Sequence, residues 1–296
     1  MFSRFRTVKA AQRRLTVAGA LCATAALTVS MASGTASAQP MPAANPIPLG
    51  QGYAGVGYVT DGKDFKPDTR SLQLNVPGVL GPNLSAYPAG VDISHYQGSI
   101  NWSSVKGAGI EFAWMKATEG TTYKDPTFNT NYLNAYNAGV IRGAYHFARP
   151  DVSDGATQAN YFASNGGAWS RDNLTLPGML DLEGGCAGLS QASMRTWITS
   201  FYNTYKNRTG RDVVIYTSPS WWSSCTGGWN GMAALTPLWV AHWTTAASPN
   251  IPAGFSAWTI WQYTDAGSVS GISGAVDRDR FNGSSARLLA LANNTP

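Results

Sequence analysis

From residue 89 onward, short apolar runs alternate with segments of helical period. The apolar runs at 90–93, 111–117, 141–147, 178–182, 213–217, 238–242 and 258–263 have the length of strands. Helices are expected at 102–106, 126–138, 156–164, 191–207 and 285–292. Met194, Trp197, Ile198, Phe201, Tyr202 and Tyr205 recur at helical spacing and mark a core-facing stripe, with Ser190 placed to cap that helix. Alternation of this kind predicts a mainly parallel sheet. Seven strands and five helices over about 208 residues fit a closed or nearly closed barrel, because strands paired side by side in this number can return to the first. The last strands have few helices between them. The expected fold is therefore α/β, an irregular β/α (TIM-like) barrel forming a single catalytic domain over 89–296. Chemistry on such a barrel belongs at the C-terminal ends of the strands.

Before residue 89 the period is absent. Residues 1–38 carry five basic residues within the first 14, then an apolar run over 15–31, then Ala36-Ser37-Ala38. That order of features predicts a secretory signal cleaved before Gln39, and Arg13-Arg14 leaves a twin-arginine route open. Residues 39–88 are rich in Pro, Ala and Gly at their start and are expected to form a linker or an irregular N-terminal extension. Removing the signal takes five of the 21 basic residues and leaves 16 against 16 acidic ones. The near-neutral mature chain has no basic patch for nucleic acid, and no later segment is apolar enough to span a membrane. Secretion, a cell-wall association and a monomeric chain are the expectations that follow. Charged residues are only 12% of the chain, about half the usual share. A surface made polar by Ser, Thr, Asn and Gln suits neutral sugars. Cys186 and Cys225 are the two cysteines left after the signal, and in an oxidising compartment they are expected to pair.

Acids are scarce, with ten Asp and three Glu from residue 89 on. Asp181 and Glu183 end the fourth expected strand, so both side chains fall on one face about 6.5–7 Å apart along the chain. Apolar neighbours and a second carboxylate raise the pKa of one member of such a pair, which keeps a proton available near neutral pH. A bare D-x-E more often caps a loop or pairs with Arg; the strand-end position beside Gly184-Gly185 shifts the balance toward function. Asp92 ends the first strand, where a turn cap is the plain explanation. Asp277 lies in Asp277-Arg278-Asp279-Arg280, where local ion pairs are the plain explanation. No metal-binding spacing, nucleophile elbow or phosphate loop occurs, so neither metal nor cofactor is expected. His95, His146 and His242 are read as core or cleft-lining residues. Aromatic residues gather near the strand ends, where ring faces can stack on sugars while Gln262 takes hydrogen bonds.

Taken in order, these segments resemble glycoside hydrolase family 25, the Chalaropsis-type lysozymes. The resemblance rests on Gly90-Val91-Asp92-Ile93-Ser94-His95-Tyr96-Gln97-Gly98, Lys116-Ala117-Thr118-Glu119-Gly120 and Gly143-Ala144-Tyr145-His146-Phe147. It continues through Leu180-Asp181-Leu182-Glu183, Tyr216-Thr217-Ser218, Leu238-Trp239-Val240-Ala241, Trp261-Gln262-Tyr263 and Asp277 with Phe281-Asn282-Gly283. Each motif is loose; the ordered series is specific. It implies cleavage of the β-1,4 bond between N-acetylmuramic acid and N-acetylglucosamine in peptidoglycan glycan strands, with retention. It also implies Glu183 as general acid/base and Asp181 as the residue that orients the 2-acetamido group or stabilises developing positive charge. Asp92 and Asp277 complete the acidic set, with Asp92 also a proposed partner carboxylate in the family, and Tyr145, Tyr216 and Trp261 match sugar-contacting positions. Two other readings are weighed. A non-catalytic wall-binding module would bind without cleaving, and a chitinase-like hydrolase would carry an extended D-x-x-D-x-D-x-E strand, which this sequence lacks.

Overall fold

The computed structural model describes residues 47–56 and 87–296. The expected signal and most of the expected extension lie outside the described residues. The elements in chain order are β1 (Ala89–Ile93), α1 (Trp102–Gly107), β2 (Ile110–Glu119), β3 (Tyr123–Lys124), α2 (Phe128–Asn137), β4 (Ile141–Phe147) and α3 (Gly155–Phe162). They continue with β5 (Met179–Leu182), α4 (Gln191–Thr209), β6 (Val214–Thr217), α5 (Pro219–Thr226), β7 (Leu238–Ala241), β8 (Ile260–Gly267), β9 (Val276–Phe281) and α6 (Ser285–Asn293).

The sheet runs β1-β9-β8-β7-β6-β5-β4-β2, and β1 pairs with β2 to close an eight-stranded barrel, with β3 appended to β2. Neighbouring barrel strands are parallel except around β9, which is antiparallel to both β8 and β1. The closed α/β barrel and its irregular end agree with the sequence. Three elements were not anticipated. β9 reads Val276-Asp277-Arg278-Asp279-Arg280-Phe281, four charges in six residues, so it lacks an apolar run. β3 is two residues long. α5 is only eight residues, started by Pro219 in its first turn and by the Ser218 hydroxyl accepting from the Trp221 N–H at 3.1 Å.

The two-residue period of each strand sorts its side chains. Val91, Ile93, Met115, Leu180, Leu182 and Ile215 face outward and belong, with the Met194, Trp197, Ile198 and Phe201 stripe of α4, to one continuous outer apolar layer. Phe112, Trp114, Tyr145, Met179, Tyr216, Trp239 and Ile260 face inward and fill the barrel, so it is a packed core and not a pore. Gly143 makes room for that filling, because a Cβ there would lie 2.3 Å from the Trp114 indole nitrogen. α4 is stopped by Gly210 in the left-handed region at φ 72°. Asp92, Asp181, Gln262 and Asp277 share strand parity with the inward set, which carries them to the end of the barrel where the parallel strands finish. Among the described residues no helix is long and apolar enough to cross a membrane.

Candidate active site

Asp92 on β1 lies directly across from Asp277 on β9, and Gly90 lies across from Asp279. On β5, Asp181 sits between Phe147 of β4 and Tyr216 of β6. Glu183 follows β5 and is buried, as are Asp92, Asp181 and Asp277. The four acids singled out in the sequence therefore meet at one mouth of the barrel. The ion-pair explanation for Asp277 does not hold. Alternation along β9 turns Asp277 and Asp279 inward, while Arg280 packs its guanidinium over the Trp261 and Tyr263 rings.

Gln262 joins the two halves of the cluster. Its amide nitrogen donates to Asp92 Oδ2 at 2.8 Å, and its carbonyl oxygen accepts from the Tyr216 hydroxyl and the Trp243 indole, both at 2.9 Å. Asp279 accepts from Trp239 Nε1 at 3.1 Å and lies within hydrogen-bonding reach of Asp92. Among the described residues no donor group reaches either Asp181 oxygen, and the Glu183 carboxyl is within reach. Two carboxyls placed this way share a hydrogen bond when one of them carries a proton.

Burial sets the protonation of the cluster. It pushes Asp92 up to about 7, against the lowering effect of Gln262 and Asp279. Burial and then the Glu183 charge hold Asp181 well above the usual carboxylate range. Burial and then Asp92 do the same for Asp277 and for Asp279. The mouth thus holds Asp181, Asp277 and Asp279 as carboxylic acids near neutral pH, with Asp92 at the edge of that range.

The Lys116-Ala117-Thr118-Glu119 motif forms the adjoining wall. The β2 register shifts between Lys116 and Thr118, which turns residues three apart toward one another. Lys116 Nζ reaches Glu119 Oε2 at 2.6 Å, and Arg149 Nη1 reaches Glu119 Oε1 at 3.0 Å. The Arg149 pair was not foreseen, because Arg149 stands 30 residues away in sequence. Asp279 was also missed, although it repeats the two-residue spacing that marked Asp181 and Glu183.

Tyr145 and Tyr216 both face inward and are fully buried. Trp261 does not join them. Ile260 and Gln262 take the inward parity of β8, so Trp261 points out, donates to the His242 carbonyl at 2.7 Å and packs with Leu238 and Val240. His146 is likewise in the outer layer, buried between Thr118 and Gln158, and burial pushes it down to about 4. Cys186 and Cys225 form a disulfide that ties the segment after β5 to α5. Among the described residues no group of three His, Cys, Asp or Glu is arranged to hold a metal ion.

Residues 91–272 match the model of the glycosyl hydrolases family 25. Lysozyme M1 of Streptomyces globisporus is 56% identical over 283 residues, 94% of this chain and 93% of that one. The N,O-diacetylmuramidase of Chalaropsis sp is 48% identical over 200 residues, 64% of this chain and 95% of that one. The solved bacterial lysozyme from Streptomyces coelicolor is 64% identical with a TM-score of 0.70, covering 72% of this chain and 100% of that one. The chain belongs to glycosyl hydrolase family 25. It is a glycoside hydrolase of the lysozyme (muramidase) class.

Proposed function

We propose that the protein is a secreted N-acetylmuramidase. It hydrolyses the β-1,4 bond between N-acetylmuramic acid and N-acetylglucosamine in peptidoglycan, with retention at the anomeric carbon. The observation that carries this reading is the convergence of Asp92, Asp181, Glu183 and Asp277 at the mouth where the parallel strands end. Glu183 protonates the leaving oxygen and then takes a proton from the attacking water. Asp181 accepts the N–H of the 2-acetamido group and aims its carbonyl oxygen at the anomeric carbon. Asp92 and Asp277 complete the acidic lining of the site, with Gln262 fixing Asp92. Tyr145 and Tyr216 line the floor. Trp243, which donates to Gln262 at the mouth, offers its ring to a sugar in place of the outward-facing Trp261. The Cys186–Cys225 disulfide and the polar, low-charge surface support an extracellular setting. The chain acts as a monomer.

The test is Glu183→Gln, assayed by release of reducing ends from purified cell walls. Activity should fall by at least about 100-fold, the lower end of what a single acid/base group contributes. Undiminished turnover sinks the assignment, and analysis of the new reducing end fixes which of the two sugars carries it.

A further inference from the structure

Residues 47–56 lie in the mouth just described. The Gly55 N–H donates to Glu183 Oε1 at 2.8 Å, and the Gln262 amide donates to the Ala54 carbonyl at 3.4 Å. Lys116 Nζ donates to the Gly52 carbonyl, and the Gly52 N–H donates to Glu119 Oε2 at 3.3 Å. Ala54 is completely buried among the inward aromatics, and the Tyr145 hydroxyl lies against its backbone. Tyr53 meets the Tyr96 ring edge-on at 5.3 Å, and burial beside Asp277 and Glu183 pushes its hydroxyl up to about 12.

The fit is specific to this segment's glycines. A Cβ on Gly52 would lie 2.6 Å from the Phe147 ring, and one on Gly50 would lie 2.7 Å from the Tyr123 ring. Backbone therefore rests directly on aromatic faces of the cleft. Ile47 and Val56 close over Phe147 as a small apolar cluster. The backbone N–H and carbonyl groups pair with Glu183 and Gln262 of the mouth and with Lys116 and Glu119 of its wall. The family model starts at Val91, so this segment stands outside the part of the chain that defines the family.

We propose that residues 47–56 are an intramolecular inhibitor, a strap that occupies the sugar site and holds the enzyme latent. The inference rests on the reading of Glu183 and its neighbours as the catalytic centre. While the strap is covalently joined, it competes at high effective concentration and a polymer of glycan cannot displace it by dilution. Hydrolysis of one peptide bond within 57–86 by an endopeptidase, with water adding across that bond, makes the strap a separate peptide. Its binding then falls with its concentration, and the mouth opens to glycan.

The experiment uses the full chain with a recognition sequence for a site-specific protease placed within 57–86. The folded protein is assayed on purified cell walls uncut, and again after cutting and desalting. Cutting should raise the rate at least 10-fold, and a synthetic peptide of residues 47–56 added back should lower it again. The uncut Gly52→Leu chain, whose strap cannot lie on Phe147, should match the cut protein, and cutting it should change nothing further. Amide exchange gives a readout independent of turnover, since the Gly52 and Gly55 N–H groups should be protected in the uncut chain. Equal wall hydrolysis by cut and uncut protein overturns the proposal, as does rapid exchange of those two amides. Absence of hydrolysis from every form overturns the catalytic reading instead, and protected amides would then still support an occupied mouth.

Discussion

Gln262 and Asp92 are held 2.8 Å apart by a hydrogen bond whose direction is fixed from the far side of the amide. Tyr216 and Trp243 both donate to the Gln262 carbonyl oxygen, so a flipped amide would set donors against donors and an oxygen against a carboxylate. One side chain thereby aligns an acid from β1 with residues from β6 and the loop after β7. Replacing it by Gln262→Leu leaves four buried polar groups without this partner, those of Asp92, Tyr216, Trp243 and the Ala54 carbonyl. Stability should fall by about 2–4 kcal/mol, the scale for orphaning buried polar groups. Wall hydrolysis by the protein cut within 57–86 should fall in parallel, and urea unfolding beside a reducing-end assay checks both.

Asp279 is held as a carboxylic acid by burial and by Asp92. A neutral acid and an amide offer Asp92 the same kind of donor. Asp279→Asn should therefore unfold within about 1 kcal/mol of the parent, whereas Asp279→Leu should lose about 1–3 kcal/mol through the unpaired Trp239 indole and Asp92. Equal losses in both variants would show that Asp279 is ionised in the folded protein.

Asp92 makes stability depend on pH in a defined window. Its folded value of about 7 lies above the ordinary 3.8, so the folded chain keeps a proton that the unfolded chain has released. Stability from this group is full below about pH 4, falls as pH rises toward about 7 and is flat beyond. Asp92→Asn removes that loss, so its melting temperature relative to the parent should rise between those two pH values. His146 acts in the opposite sense. Its value of about 4 against 6.5 costs stability as pH falls through that range. It is common to both proteins and cancels in the difference. A flat difference across the range refutes the assigned shift.

The disulfide joins residues 39 apart in sequence. Constraining a loop of that size in the unfolded chain contributes about 4 kcal/mol. Cys186→Ser with Cys225→Ser should lower the urea midpoint accordingly. Reductant should lower the midpoint of the parent and leave the double variant unchanged.

The barrel and most of its acidic mouth were legible because strand parity is written in the sequence. The alternation around Asp181 and Glu183 and the strand end at Asp92 state which face each acid takes. Legibility failed where a face is decided by partners. β9 carries charge at four of six positions, and only its pairing with β1 and β8 shows that Asp277 and Asp279 turn inward. Trp261 was assigned one position from Gln262, and on a strand one position reverses the face. The strap was unreadable for a different reason. Its partners Lys116, Glu119, Glu183 and Gln262 stand 64 to 208 residues away, and its own Gly-rich composition is that of any turn.

The antiparallel pair of β9 with β1 also decides when the enzyme can first exist. Asp277 is made 185 residues after Asp92. At about 5–20 residues per second, a growing polypeptide passes many seconds with an open sheet and no acid opposite Asp92. A chain that has emerged only as far as β8 therefore lacks the strand that joins β8 to β1, whatever the strap does.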